Sequence, residues 1–546
     1  MELPGRTAML LGGSGLVGRA VARRLLQFEP ARLVIVGLRE PEVRETMADL
    51  EPSAGETALD GEWGDVFLPA EAARQDWTTI LADAPLRAQV VADVAGELTE
   101  QVLERSLLFQ LVMRYRPEIV VDTINTATAF AYQNVYHSVE ELLARAVTGR
   151  VDREFAERHV LTLGIPELIR HTQIAVEAFR RAGTMAYVKV GTSGTGGMGF
   201  NIPYTHSEER PSRMLLTKSA MAGAQSLLLF LLGRTPGAPA TIEIKPTAAI
   251  GWSGIRYGPV RRAGKEIRRV DCPAPLPLGR AFGADAAGWK DTGRALESVY
   301  IDMGENGAFA REEFETVSAL GSMELVTPEE IADLVIMELE GRSSGRDVVA
   351  ALDGATAGPS YRAGMLRAAA IGRLKQLEAE HGVRSVAFEM LGPPRLSKLL
   401  YEARVWSEIV GSVAGLAGGE PAALARDAAA LIARDADLRS AIVSIGLPIV
   451  VEGNRVYRGE FVVMPPAPPA GEPEQVILRG WVDLRASSAR VWRERARRVV
   501  EQARARAVGS GSAFEWGAME PGDPVSPSAF AAWIFKYEDG GDRIKR

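Results

Sequence analysis

The stretch Met9-Leu10-Leu11-Gly12-Gly13-Ser14-Gly15-Leu16-Val17-Gly18-Arg19-Ala20-Val21 constrains this chain more than any other. A short run from Thr7 to Leu11 breaks into glycines and restarts as Leu16, Val17, Ala20, Val21 and Leu25, which is helical spacing. That pattern is a strand, a tight turn and a helix. Glycine is needed at such a turn because the backbone takes conformations a Cβ forbids and must come close to a phosphate pair on the helix N-terminus. Gly13, Gly15 and Gly18 make GxGxxG, while Gly12, Gly15 and Gly18 make GxxGxxG. In strand-turn-helix context, Gly12, Gly13, Ser14, Gly15, Leu16, Val17 and Gly18 read as a dinucleotide-binding turn.

The chain beyond it repeats the theme. Arg32 to Gly37 is the continuous apolar run of a strand buried in a parallel sheet, and it ends in Leu38-Arg39-Glu40. That end lies about 20 residues past the glycines, where an acid binds a free ribose 2′-hydroxyl and an arginine suits a 2′-phosphate. Arg39 comes first, which favours NADP over NAD. The segment Thr57 to Phe67 supplies a third strand with Asp65 and Val66 beside the adenine, and Pro117 to Ala127 a fourth, running into the polar turn Asn125-Thr126-Ala127. A long insert, Phe130 to Pro166, either faces the substrate or packs as helices. A helix over Ile165 to Arg181 precedes a fifth strand, Met185 to Val190, which empties into Gly191-Thr192-Ser193-Gly194-Thr195-Gly196-Gly197-Met198-Gly199. Three hydroxyls among glycines directly after a parallel strand read as an active-site loop. A helix over Lys218 to Leu232 and a sixth strand, Ala240 to Pro246, complete the alternation of a doubly wound parallel sheet of Rossmann type.

With 546 residues the chain has room for two to four domains at about 150 residues each. Its 63 basic and 70 acidic residues are spread along it, giving −7 and no basic face for nucleic acid. One cysteine, Cys272, excludes an internal disulfide, and the five histidines lack metal-ligand spacing, so no metal is expected. With no signal peptide before the first strand, and a longest strongly apolar run, Leu227 to Leu232, too short for a bilayer, the expectation is a cytoplasmic chain without a membrane partner.

From the glycine turn to about residue 340, the order of elements resembles the short-chain dehydrogenase/reductase superfamily, in its extended, epimerase-like branch or an atypical relative. Beside the cofactor turn, the likeness rests on Asn125-Thr126-Ala127, on Thr192-Ser193-Gly194-Thr195, on Lys245-Pro246-Thr247-Ala248-Ala249-Ile250-Gly251, and on Val326-Thr327-Pro328-Glu329-Glu330-Ile331-Ala332 with its capping-box spacing. The resemblance implies NADP or NAD as cofactor, contacts to it from Thr192 and Lys218, and a homodimer. One departure stands out. The family pairs a tyrosine with a lysine four residues later, and here Lys218 is preceded at that spacing by Met214. A thioether cannot move a proton. Tyr204 and His206, between the hydroxyl loop and Lys218, are the candidate proton donors, with Ser193 and Thr195 as contacts to a substrate oxygen.

Residues 341–546 carry no motif that names a function and read as an appended α+β domain, a lid or a partner-binding element. Helices are expected over Ala368 to Glu380, Pro394 to Ala417 and Pro421 to Arg439, strand character over Ala441 to Val451, and a hairpin about Asn454-Arg455. Pro465 to Gly471 reads as a linker, Val476 to Leu484 as a strand, Ser488 to Ala507 as a basic helix with a solvated face, and Phe530 to Tyr537 as an aromatic docking segment. Two functions compete. One is an NAD(P)-dependent oxidoreductase with an atypical centre acting on a small organic substrate, including epimerase or dehydratase chemistry by transient hydride transfer. The other is a non-catalytic NAD(P)-binding scaffold or sensor whose second half binds a partner.

Overall fold

The computed structural model describes residues 1–126, 129, 135–192, 213–246, 248–250, 252, 254–262, 265–271, 290–302, 308–311, 314–315, 325–358, 360–388, 394–460, 462–463, 473–505 and 519–541. The chain forms two compact units, Met1–Thr356 and Ala357–Arg543.

In the first unit, six parallel strands form one sheet: β1 (Thr7–Leu11), β2 (Arg32–Gly37), β3 (Ala58–Trp63), β4 (Ile119–Asp122), β5 (Ala186–Val190) and β6 (Ala240–Ile244). Their order is β3-β2-β1-β4-β5-β6. This is the doubly wound Rossmann topology, whose order reverses between β1 and β4, so ligands bind at the carboxyl ends of those two strands. Alternate residues of each strand feed two cores, as a period of two requires. Leu10, Ile35, Val121, Val188 and Ile242 pack on one face against Val21 and Leu25 of α1 (Leu16–Leu26) and Ile331 and Val335 of the helix Pro328–Leu339. Met9, Val34, Val120 and Tyr187 pack on the other against Leu108 and Val112 of Leu107–Tyr115 and Phe179 of Gly164–Ala182. The helix Pro328–Leu339 starts with the expected capping box, Thr327 and Glu330 satisfying each other's backbone N–H groups.

After β5 and the loop beyond it comes Arg213–Arg234, longer than the helix read from sequence. The run judged too short for a bilayer belongs to it, and Leu215–Arg234 is long and apolar enough to cross a membrane by length and composition. In this fold the helix packs on Gly164–Ala182 and β6, burying Met221, Ala222, Leu229 and Leu232 together with the polar Gln225 and Ser226. The short helix Val348–Ala355 also belongs to the first unit, past the boundary expected at 340. Its capping Asp347 accepts a hydrogen bond from the Glu243 amide at 3.3 Å, and Asp353 pairs with Arg234 at 3.0 Å. Between β6 and Leu325 the sequence reading assigned no elements, and there the chain pairs antiparallel: Gly254–Pro259 with Glu297–Asp302, that strand with Ala308–Ala310, and Arg268–Asp271 with Lys290–Ala295.

The second unit is α+β, as expected, but several boundaries differ. The stretch 394–417 is two helices, Arg395–Ile409 and Val413–Gly418, broken where Ser412 caps the second. Likewise Asp435 caps Ala436–Ser444, so 421–439 divides and the expected strand 441–451 begins as the end of that helix; only Ile449–Val451 forms strand. The hairpin forms, Ile449 opposite Tyr457 and Val451 opposite Arg455. Val476–Leu484 is mostly the helix Pro473–Gly480, leaving Val482–Asp483 as strand; the helix buries Val476 and Ile477 and leaves Leu478 exposed. Buried Glu402 pins this unit: it pairs with Lys398 and accepts from the Asp483 amide at 2.7 Å and from Trp492 Nε1 at 2.9 Å. The basic helix, Ala486–Ala505, buries Trp492 and Val499, and Arg495 and Arg498 pair with Glu538. Phe530, Trp533 and Ile534 of Pro527–Tyr537 dock into the same core. The expected linker 465–471 lies outside the described residues.

Candidate functional site

The glycine turn sits at the carboxyl end of β1. Gly12 has φ +75, the left-handed conformation that side chains resist. A Cβ on Gly18 would stand 2.4 Å from the Gly12 carbonyl oxygen, so only glycine lets α1 close onto the turn. Gly15 caps α1 without a side-chain hydrogen bond, and no acid lies in its first turn. A helix start capped this way presents backbone N–H groups and the positive end of its dipole, which suits a diphosphate. Gly37, ending β2, closes the turn from the other side, since a Cβ there would meet Ser14 Oγ at 2.6 Å. The close approaches and the uncapped helix start fit a dinucleotide.

Arg39 is the extended residue preceding the helix Glu40–Leu50, its side chain 73% exposed and its Nη1 3.6 Å from Glu42. Glu40 is drawn back along that helix to Arg44. Asp65 follows β3 and is half-buried; burial raises its pKa above the usual carboxylate value, against a hydrogen bond from the Phe67 amide at 3.0 Å. Val66 turns its side chain into the core. Asn125 and Thr126 lie in the turn after β4, with Thr126 buried. Thr192 follows β5, and Lys218 lies in the first turns of Arg213–Arg234, as does Met214. Ala127, Ser193, Thr195, Tyr204 and His206 lie outside the described residues.

Sequence reasoning missed a set of buried charges beneath these loops. Asp122, Lys189 and Glu243 are lateral neighbours on β4, β5 and β6, and all three are buried. The Lys189 ammonium, wholly enclosed, reaches Asp122 Oδ1 at 2.9 Å, the Ile124 carbonyl at 2.6 Å and Thr126 Oγ1 at 3.0 Å. Asp122 also accepts from the Ile124 amide at 2.9 Å and from the Tyr187 hydroxyl at 2.9 Å. Burial lowers the Lys189 pKa and the Asp122 charge opposes that; burial and the same charge raise Tyr187 well above its ordinary value. One step along the sheet, Lys245 stands 3.0 Å from Glu243 Oε1 and donates to the Thr192 carbonyl at 2.6 Å and to that of Ala222 at 3.3 Å. The Glu243 contact is an attraction of charges more than a directed hydrogen bond, since neither carboxylate oxygen has a hydrogen-bond partner among the described residues. A signal was present: Tyr187-Val188-Lys189 and Ile242-Glu243-Ile244-Lys245 set charges at alternate positions in strands that should be apolar throughout.

The insert after the β4 turn forms the helices Val135–Val147 and Arg153–Val160 and leads into Gly164–Ala182. With Trp77–Ala82 it walls a cleft of ≈ 720 Å³ lined by Trp77, Ala129, Ser138, Arg145, Phe155 and Arg158, among others. Ala129 places this cleft close in sequence to the β4 turn. Among the described residues no cluster of three or more His, Cys, Asp or Glu could hold a metal ion.

Sheet order, with the glycine turn at the point where it reverses, defines a Rossmann-type α/β protein. Residues 269–539 match a family model described as the beta-methylindole-3-pyruvate reductase C-terminal domain. Solved structures similar to the chain include a short chain dehydrogenase from Burkholderia cenocepacia in complex with NADP, at 13% identity over 63% of this chain and 95% of that one, with a TM-score of 0.30. A short-chain type dehydrogenase/reductase from Mycobacterium ulcerans is similar at 14% identity, covering 62% and 84%, with a TM-score of 0.28. A reductase/Diels-Alderase from Malbranchea aurantiaca matches at 13% identity, covering 62% and 93%, with a TM-score of 0.29. No curated protein matches the chain.

Proposed function

We propose that the chain is an NADP-dependent oxidoreductase of the short-chain type, reducing the carbonyl of a small organic acid at an atypical centre. The observation that carries this reading is the uncapped N-terminus of α1, closed onto Gly12 and Gly13 by Gly18. The glycine turn holds the diphosphate, Arg39 meets the 2′-phosphate, Asp65 lies toward the adenine, and Asn125, Thr126, Thr192 and Lys218 line the nicotinamide half. A bound nicotinamide supplies hydride. Ser193 and Thr195 hydrogen-bond the substrate oxygen, and Tyr204 or His206 gives the proton that a tyrosine at Met214 would give in the family. The insert cleft, beginning at Ala129, is the approach for substrate. The family match over 269–539 makes an indole-bearing 2-oxo acid the first substrate to assay. The protein works in the cytosol as a homodimer without metal, nucleic acid or membrane.

The test is titration with NADPH and NADH, followed by NADPH consumption with indole-type 2-oxo acids in wild type, Tyr204→Phe and His206→Asn. Consumption abolished by one of the two substitutions, with NADPH binding kept, is the expected result. Binding without consumption by any 2-oxo acid would favour the non-catalytic scaffold, the reading to which Met214 points; no binding of either dinucleotide would overturn both.

A further inference from the structure

Three buried polar groups lie off the expected chemistry: the Lys398–Glu402 pair of the second unit, Arg170, whose Nε and Nη1 have no hydrogen-bond partner among the described residues, and the charges under the sheet's carboxyl edge. The last touches the cofactor loops. All three Lys189 ammonium hydrogens have acceptors, and two of these, the Ile124 carbonyl and Thr126 Oγ1, belong to the turn itself. Asp122 completes the turn from inside by accepting the Ile124 amide. The turn is then joined to the phosphate cradle, because the Thr123 amide donates to the Leu11 carbonyl at 2.8 Å and its hydroxyl lies 3.0 Å from the Gly12 carbonyl.

Hydrophobic residues would fill these strand positions at less cost, since burying an ion pair seldom repays its desolvation. Strands β4 and β5 are otherwise apolar, so the charge is local to the one place where backbone carbonyls must be held. We propose that Lys189, fixed by Asp122, is a positioning residue: it sets the geometry of the turn Thr123–Thr126 and through Thr123 that of the glycine turn, so that cofactor affinity depends on a charge that never meets the cofactor. Lys245, held beside Glu243, does the same for Thr192 and for the helix that bears Lys218. The inference rests on the dinucleotide reading for its consequence, but not for the geometry of the turn.

Removing Lys189 alone strands a buried carboxylate and threatens folding. The decisive variant is therefore Asp122→Asn/Lys189→Met, which removes both charges and keeps an acceptor for the Ile124 amide. Two measurements are made on the full chain: the NADPH dissociation constant, and amide hydrogen exchange at Thr123 and Thr126 without ligand. The expected result is thermal stability close to wild type, with affinity weakened about tenfold and those two amides exchanging about tenfold faster while Val120 and Val188 stay protected. Exchange unchanged at Thr123 and Thr126 overturns the proposal. If wild type binds neither NADPH nor NADH, the functional reading falls, and exchange still decides whether Lys189 positions the turn.

Discussion

The hydroxyl of Thr123 lies 3.0 Å from the carbonyl oxygen of Gly12, and a Cβ on Gly12 would stand 2.8 Å from that hydroxyl. The turn after β4 is thus seated against the glycine turn after β1, across the point where strand order reverses. Thr123→Val keeps the shape and the backbone bond to Leu11 but removes the donor. The expected outcome is a loss of about 1 kcal/mol in urea unfolding and several-fold weaker NADPH binding. An unchanged dissociation constant would mean that the two turns act independently.

Arg39 follows β2, where the proposed function puts the ribose 2′-phosphate, its side chain largely exposed and only loosely paired with Glu42. Glu40, which would favour a free 2′-hydroxyl, is engaged with Arg44 one helical turn on. Arg39→Ala is expected to weaken NADPH binding about tenfold while leaving NADH unaffected, because a charge-assisted contact to phosphate is lost. Equal losses for both dinucleotides would show that Arg39 does not read the 2′-phosphate.

The sheet was legible because continuous apolar runs and glycine turns are local signals: Arg32–Gly37 is where the sequence puts it, and Ala186–Val190 and Ala240–Ile244 differ only at their ends. The glycine turn was legible for the same reason, since Gly12 and Gly18 are dictated by backbone conformation and close approach. Charges inside apolar strands marked Lys189 and Glu243 one at a time, but the Asp122, Lys189 and Glu243 set was not legible, because their adjacency is created by register between strands far apart in sequence. In the second unit, Val476–Leu484 misled because a short apolar run fits helix and strand alike, and only packing against the core decides.

The helix Arg213–Arg234 leaves Leu216, Leu227 and Leu231 more than half exposed, and Ile165 and Ile169 are exposed on Gly164–Ala182, against which it packs. The spacing places Leu227 and Leu231 on one stripe. If this stripe is the homodimer face, Leu227→Glu/Leu231→Glu yields monomers by light scattering at concentrations where wild type is dimeric, with little change in monomer stability. A wild-type monomer, or a double variant that stays dimeric, would locate association elsewhere.

His171, on Gly164–Ala182, is buried with its ring 4.5 Å from that of Phe67. Burial lowers its pKa from 6.5 to about 4, the Asp122 charge working against that shift and the Lys189 charge with it. Between these values the unfolded chain binds a proton that the folded chain refuses, so stability is full above pH 6.5 and falls as pH drops toward 4. The shift caps this loss at about 3 kcal/mol. Carboxylates titrate near the lower end of the same window, so the comparison must be with a variant. In His171→Leu the unfolding free energy is expected to decline less steeply below pH 6.5 than in wild type, the difference between the two curves growing toward pH 4 and flat above neutrality. Parallel curves across that window would show that His171 takes up its proton in the folded state.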